Sequence, residues 1–381
     1  MSDMESLRMQ INEIDEQLVA LFSSRMEVAR RISEYKTEHH LPVLDAARER
    51  EVLNRVVSLA PEEMERYLRI LYGTVFDLSR SYQSSFQGAQ GRLSERLRQA
   101  AAATACKFPS SAVVACQGVE GAYSQLACDR LFPSASVMYF ANFEGVFQAV
   151  EQGLCRYGLL PIENSSAGSV TAVYDLMERH RFSIVRGVRL RVDHCLAAPK
   201  GVTLSDVREI FSHEQAIHQC SRFLKEHATV SVIPFSNTAA AAQRVADSGR
   251  RDQAAICSRT GAQRYGLEIL SEQIQDSDSN YTRFICIAKQ PEIYSDARKI
   301  SLMMAIPHKP GSLYRIMAKF AALELNLTKL ESRPILGKNF EFRFYFDLDA
   351  SVFSPEVLAL LDELEATVDH FVFLGNYYEL V

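Results

Sequence analysis

Ser111-Ala112-Val113-Val114-Ala115-Cys116-Gln117-Gly118-Val119-Glu120-Gly121-Ala122-Tyr123-Ser124 is where the chain changes character. A short apolar run, Ala112–Ala115, leads into a glycine-bearing polar loop and then a helix-length amphipathic pattern. Strand-sized runs alternating with helix-sized patterns mark an α/β layer. The alternation continues to about Lys289.

Upstream of this stretch the pattern is helical. Leu7, Ile11, Ile14, Leu18, Leu21, Val28 and Ile32 recur at a 3–4 spacing, which puts them on one helix face. A second helix is expected over Asp45–Ala60, after Pro42. A third opens at Pro61, with Glu62 and Glu63 at its positive end and the stripe Met64, Leu68, Leu71, Val75, Leu78, Tyr82. Gly88, Gly91, an alanine run and Pro109 suggest a linker, in which 92–100 has the composition of a short helix. Downstream, the runs Ile300–Ile306, Leu313–Leu325, Leu327–Ile335, Phe340–Asp347, Pro355–Thr367 and Phe371–Glu379 give the βαββαβ order of a ferredoxin-like module. The expected domains are a helical one over 1–90, a linker over 91–110, an α/β domain over 111–290 and an α+β module over 297–381.

Composition narrows the function. A chain of 381 residues with 47% hydrophobic residues can bury several cores. The formal net charge of −5 offers no nucleic-acid footprint. No apolar run approaches the roughly 20 residues of a membrane span, and the acidic start lacks the basic and apolar regions of a signal peptide. The eight cysteines are scattered with no C-x-x-C pair, and the histidines form no H-E-x-x-H pattern. Reduced thiols in a cytoplasmic protein, with no metal and no cofactor, are the expectation.

The first helix carries charges where its stripe calls for apolar residues. Arg25 falls between Leu21 and Val28, and Lys36, eleven residues on, returns to nearly the same face. One such charge is best read as snorkelling to water. Two, joined by Arg8, point to a cationic site. Arg8 lies about 25 Å from Arg25 along a straight helix, so both serve one small anion only if Arg8 comes from a second chain. A three-helix segment this small is also a marginal core alone. Both points lead to a homodimer through the helical domain. Asp45, Arg48 and Glu49 open the second helix, and Ser79 and Gln83 share a face of the third.

Leu7-Arg8, Arg25, Lys36, Pro42-Val43, Asp45, Arg48-Glu49-Arg50, Ser79 and Gln83 together resemble the all-helical chorismate mutase family. The resemblance implies that Arg8 of a partner chain, Arg25 and Arg48 clamp the substrate carboxylates. It implies that Lys36 and Gln83 meet the ether oxygen, and that Asp45, Glu49 and Ser79 hold the ring-hydroxyl side and the substrate ends. A Claisen rearrangement needs no nucleophile, only the folded chair and donors where charge grows on the ether oxygen.

In the α/β segment, Gln117–Ser124, Leu159–Ser169, Phe211–Gln215 and Ser236–Thr238 each follow an apolar strand and open a helix. Ser, Asn and Thr there are good caps, and free N–H groups at helix starts bind anions. The glycine loop lacks G-x-G-x-x-G and G-K-[ST], so a small carboxylate ligand fits better than a nucleotide. Pro161-Ile162-Glu163-Asn164-Ser165-Ser166, Asp193-His194-Cys195-Leu196, Ser212-His213 with Gln219-Cys220, and Asn280-Tyr281-Thr282-Arg283-Phe284 resemble prephenate dehydratases. The resemblance implies two lobes like type II periplasmic binding proteins around a cleft, with Thr282, Glu163, Asn164 and Gln219 in catalysis or binding. Ser165 and Ser166 join the substrate site. Prephenate loses carboxylate and hydroxyl together, so the enzyme must help hydroxide leave. Thr282 suits hydrogen-bond donation, and Glu163 supplies a proton if burial raises its pKa.

In the last module, Pro310-Gly311-Ser312-Leu313 and Glu331-Ser332-Arg333-Pro334 resemble the phenylalanine-sensing ACT domain attached to prephenate dehydratases. Gly311, Ser312, Leu313, Glu331, Ser332, Arg333 and Pro334 are the implied effector site. The combined reading is a bifunctional enzyme that makes phenylpyruvate from chorismate through prephenate, with phenylalanine as allosteric inhibitor. Two alternatives stand beside it. One is a prephenate or arogenate dehydratase whose helical domain only dimerises. The other is an amino-acid sensor without chemistry.

Overall fold

The computed structural model describes residues 3–39, 41, 45–87, 91–335 and 342–381. Pro42 and Val43 of the mutase-like strings, Gly88 of the expected linker and the expected strand start at Phe340 lie outside the described residues. The chain packs as two compact units. One holds residues up to Gln99 together with Ile300–Val372, and the other holds Ala100–Lys299 with Phe373–Val381.

The first unit is built on three helices, Asp3–Glu38, Ala46–Val57 and Glu65–Gln87. Asp45 caps the second by accepting from the Arg48 N–H at 2.9 Å. The third is preceded by a 3₁₀ turn, Glu62–Met64, where a helix from Pro61 onward was expected. The expected linker contains a full helix, Arg92–Ala103, whose Leu93 and Leu97 are buried. It is tied down by Asp362, which accepts from the N–H groups of Gly91 and Ser94 at 2.9 Å each. A Cβ on Gly91 would meet the Asp362 carboxyl and displace it from these two bonds. The helices Ser312–Ala322 and Pro355–Thr367 and the antiparallel strands Asn326–Pro334 and Phe342–Asp349 complete the unit, and both helices pack on Glu65–Gln87.

The second unit has two lobes. In one, Val113–Gln117 lies parallel to Ser136–Phe140 and to Tyr157–Asn164, and Tyr281–Ala288 runs antiparallel between Tyr157–Asn164 and Ser183–Arg191. In the other, Glu209–Ser212 lies parallel to Ser231–Pro234 and Gln253–Cys257. Cys195–Ala198 and Glu268–Ser271 add antiparallel strands. Each lobe has its own core. The chain crosses between them twice, near Val192–His194 and before Tyr281. The crossings are stitched by Val192 N–H to the Asn280 carbonyl (2.8 Å) and Ile274 N–H to the His194 carbonyl (3.0 Å). The βαββαβ order of the C-terminal residues is as expected. Its last strand, Val372–Leu380, places Tyr378–Leu380 parallel to Arg186–Val188 in the second unit.

Candidate active sites

In the first unit, three helices bring Arg25, Lys36, Asp45, Arg48, Glu49, Ser79 and Gln83 to the wall of one pocket of about 520 Å³. Val28, Ala29, Ile32, Val52 and Phe76 give it apolar surface, and Arg55 and Arg80 join the wall. Five cationic side chains and two carboxylates line it, a wall able to receive an anion. Arg25 donates to the Ser79 hydroxyl and lies 5.8 Å from the centre of the Phe76 ring. Burial lowers the Arg25 pKa, while Tyr72 and Glu49 oppose the shift. Gln83 is 8% exposed, its carbonyl accepts from Ser33 at 3.0 Å, and its side-chain Oε1 is buried with no hydrogen-bond partner among the described residues. An unpaired buried amide oxygen is costly unless a ligand satisfies it. Arg48 holds Glu51 at 2.7 Å and is half exposed. Arg8 is exposed on the first helix and is not part of this pocket wall within one chain.

In the second unit, a cleft of about 380 Å³ runs between the lobes, beside the C-terminal ends of parallel strands. Tyr123, Phe143, Val170, Val192 and Phe284 give apolar surface; Asn164, His194, Gln219 and Thr282 are part of the polar side, with Gln117, Ser124, His213, Gln215 and Ser236–Thr238. Asn164, His194, Gln219 and Thr282 are one network. Asn164 Nδ2 donates to Thr282 Oγ1 (2.9 Å) and Asn280 Oδ1 (2.9 Å). Asn280 Nδ2 donates to Gln219 Oε1 (3.0 Å), and the same oxygen is 3.0 Å from His194 Nε2. Gln219 Oε1 is an acceptor, so the network sets His194 with its proton on Nε2. Burial lowers the His194 pKa and favours this neutral form, with Gln219 and Asp193 opposing. Thr282 Oγ1 accepts from Asn164, so its own proton is available for another acceptor.

Not every expected residue reaches the cleft. Glu163 lies on the strand next to Asn164 and so on the opposite face. Its side chain is 36% exposed and 3.7 Å from Arg283, so it is less buried than expected. Ser165 Oγ donates to the Ser279 carbonyl and accepts from the Tyr281 N–H, which is loop bracing. Ser166 lines a neighbouring hollow with His213, Gln215 and Gln219. The helix expected to contain Gln219 and Cys220 ends at Gln219. A second helix starts at Ser221 because Asp276 accepts from the N–H groups of Ser221 and Arg222. Among the described residues, no lysine or arginine lines the cleft. Anion binding there falls to amides, hydroxyls and helix starts such as Ala122–Tyr123, which has no side-chain cap.

Residues 7–84 match the chorismate mutase type II family and residues 114–292 the prephenate dehydratase family. The bifunctional chorismate mutase/prephenate dehydratase of Escherichia coli is 32% identical over 98% of this chain and 95% of its own. The chain belongs to this bifunctional family. It is an enzyme with a mutase domain and a dehydratase domain, which answers the alternatives of a helical segment for dimerisation alone and of a sensor. The Arabidopsis thaliana arogenate dehydratase/prephenate dehydratase 2 is 38% identical over 69% of this chain and 72% of its own. The crystal structure of prephenate dehydratase from Arthrobacter aurescens, in complex with L-Phe, superposes with a TM-score of 0.64 at 30% identity. It covers 70% of this chain and 89% of its own. The helical pocket lies within the residues that match the mutase family, and the interlobe cleft within those that match the dehydratase family.

Sequence reasoning missed His194 and Asn280 as site residues, although both lie in quoted strings. Arg80 and Arg55 gave no signal, because a charged helix residue is usually a solvated one.

Proposed function

We propose that the two pockets act in series, the first turning chorismate into prephenate and the second turning prephenate into phenylpyruvate. The observation that carries this is the gathering of seven scattered polar residues, Arg25 through Gln83, into one cationic pocket. Arg25 and Arg48 bind carboxylates and hold the folded chair, while Lys36 and Gln83 donate to the ether oxygen as its bond breaks. In the cleft, the ring carboxylate leaves as CO2, its C–C bonding pair moves into the ring, the C–OH bond breaks, and the hydroxide takes one proton from solvent to leave as water. Thr282 donates a hydrogen bond to that hydroxyl, and Asn164, Asn280, Gln219 and His194 hold it in place. Glu163, tied to Arg283, acts only at longer range.

The first helix supports a dimer. Leu7, Ile11, Ile14, Leu18 and Leu21 are each more than half exposed, and burying that stripe against a second copy would bring the partner's Arg8 to the pocket. We assign residues 1–90 to the mutase, 111–290 to the dehydratase and 297–381 to an ACT regulatory domain in a cytoplasmic enzyme. Gly311, at φ +80, opens the helix Ser312–Ala322 with no side-chain cap, which leaves N–H groups for the carboxylate of phenylalanine. Leu313, Glu331, Ser332, Arg333 and Pro334 complete that effector site.

The test is turnover of chorismate, prephenate and arogenate by purified protein, with and without phenylalanine. Turnover of the first two, inhibited by phenylalanine, is expected. Turnover of arogenate but not prephenate overturns the second step.

A further inference from the structure

Arg80 stands in the wall of the mutase pocket and carries a charge the proposed chemistry does not use. Its guanidinium is only 14% exposed and is surrounded by carboxylates. It bonds Glu49, which lines the same pocket, and Asp77, one turn back on its own helix. The third carboxylate is Glu363, 3.9 Å from Arg80 Nε, on the helix Pro355–Thr367 of the C-terminal residues. Glu363 in turn bonds Lys319 of the helix Ser312–Ala322. Asp77, Glu363 and Lys319 are all under 10% exposed.

A buried arginine among carboxylates is held by every one of them. Remove one, and it moves toward those that remain. Glu49 is the partner with the most freedom, at 29% exposed, and it faces the substrate space. The position of Glu49 therefore depends on Arg80, and that of Arg80 on a carboxylate about 280 residues downstream.

We propose that Glu363 is a positioning residue for the mutase reaction, fixing Glu49 through Arg80, so that the C-terminal residues complete the mutase pocket. Lys319 holds Glu363 in place. The inference rests on the reading of the helical pocket as the mutase site.

The experiment is a double-mutant cycle on the full chain, read as chorismate kcat/KM with prephenate turnover as control. Glu363→Gln is expected to lower mutase kcat/KM about tenfold, with dehydratase turnover unchanged. Arg80→Met is expected to lose at least as much, and adding Glu363→Gln to it to lose nothing further. A merely structural role would lower the melting temperature and reduce both activities together, whichever residue of the network is changed. If Glu363→Gln does not fold, the charge-balanced pair Lys319→Gln with Glu363→Gln replaces it in the cycle. Wild-type mutase activity in Glu363→Gln, or additive losses, overturns the inference alone. Absence of mutase turnover in the wild type overturns the mutase reading and the inference with it.

Discussion

Arg283, the middle residue of Thr282-Arg283-Phe284, separates a binding role from a structural one. Its neighbours line the cleft, but its guanidinium turns away from it. Arg283 Nε lies 2.7 Å from Glu379 Oε1, and Nη2 donates to the Tyr377 hydroxyl at 2.6 Å. Glu379 is 5% exposed and also holds Lys299 at 2.8 Å and Arg189 at 3.2 Å. Breaking a buried ion pair costs about 3–5 kcal/mol, and because Glu379 keeps two other cations the lower end applies. Arg283→Met should therefore cost about 3 kcal/mol and lower Tm by roughly 6–12 °C for a unit of this size. Dehydratase kcat/KM at 25 °C should stay within about threefold. Thermal melts and prephenate assays on the same preparation decide it. A hundredfold loss of kcat/KM without a change in Tm would show that Arg283 reaches the substrate, and would refute the reasoning.

The same cluster sets an acid limit. Burial alone would raise the Glu379 pKa, but Arg283, Lys299 and Arg189 outweigh it and hold the carboxyl below its usual range. A depressed carboxylate stabilises the fold fully above its unfolded value of about 4.3 and loses that contribution as pH falls through the folded value. Glu379→Gln should flatten the loss of stability below about pH 4, as followed by denaturant melts across pH; an unchanged slope would sink the assignment. Thr282→Ala should lower prephenate turnover about a hundredfold while Thr282→Ser keeps most of it, with chorismate turnover unaffected. Full activity in Thr282→Ala would remove the hydroxyl from the mechanism. Lys36→Ala and Gln83→Ala should each lower mutase kcat by about a hundredfold or more with the sedimentation of the wild type retained; near-normal turnover in both would count against the pocket. Leu18→Glu, on the exposed stripe, should yield monomers in sedimentation and lose mutase activity with them. Active monomers would contradict the shared Arg8.

Much of the fold was legible because it rests on local pattern. Period-3.6 stripes marked the three helices, and the strand–helix alternation after Ser111 marked the lobes. The C-terminal element order followed from runs whose limits moved by three residues at most. The polar mutase residues were legible for a related reason: Arg25 and Lys36 break an apolar stripe. Glu163 and Asn164 are neighbours on a strand, where adjacent residues face opposite ways, so spacing alone could not tell which of the two faces the cleft. The helix break at Cys220 had no local signal, since the group that caps it, Asp276, is more than fifty residues away.

The sequence by itself determined the element types and, through strings that resemble known families, the two chemistries, because these depend on spacing and residue type within short windows. Only the tertiary structure decided which neighbours in a motif face the substrate. It turned Thr282 into the cleft and Arg283 into an ion cluster, it tied a supposed linker to Asp362, and it joined Glu49 to Glu363 through Arg80. Those outcomes depend on charges and hydrogen-bond donors brought together from distant parts of the chain, and their energies exist only once packing has excluded water.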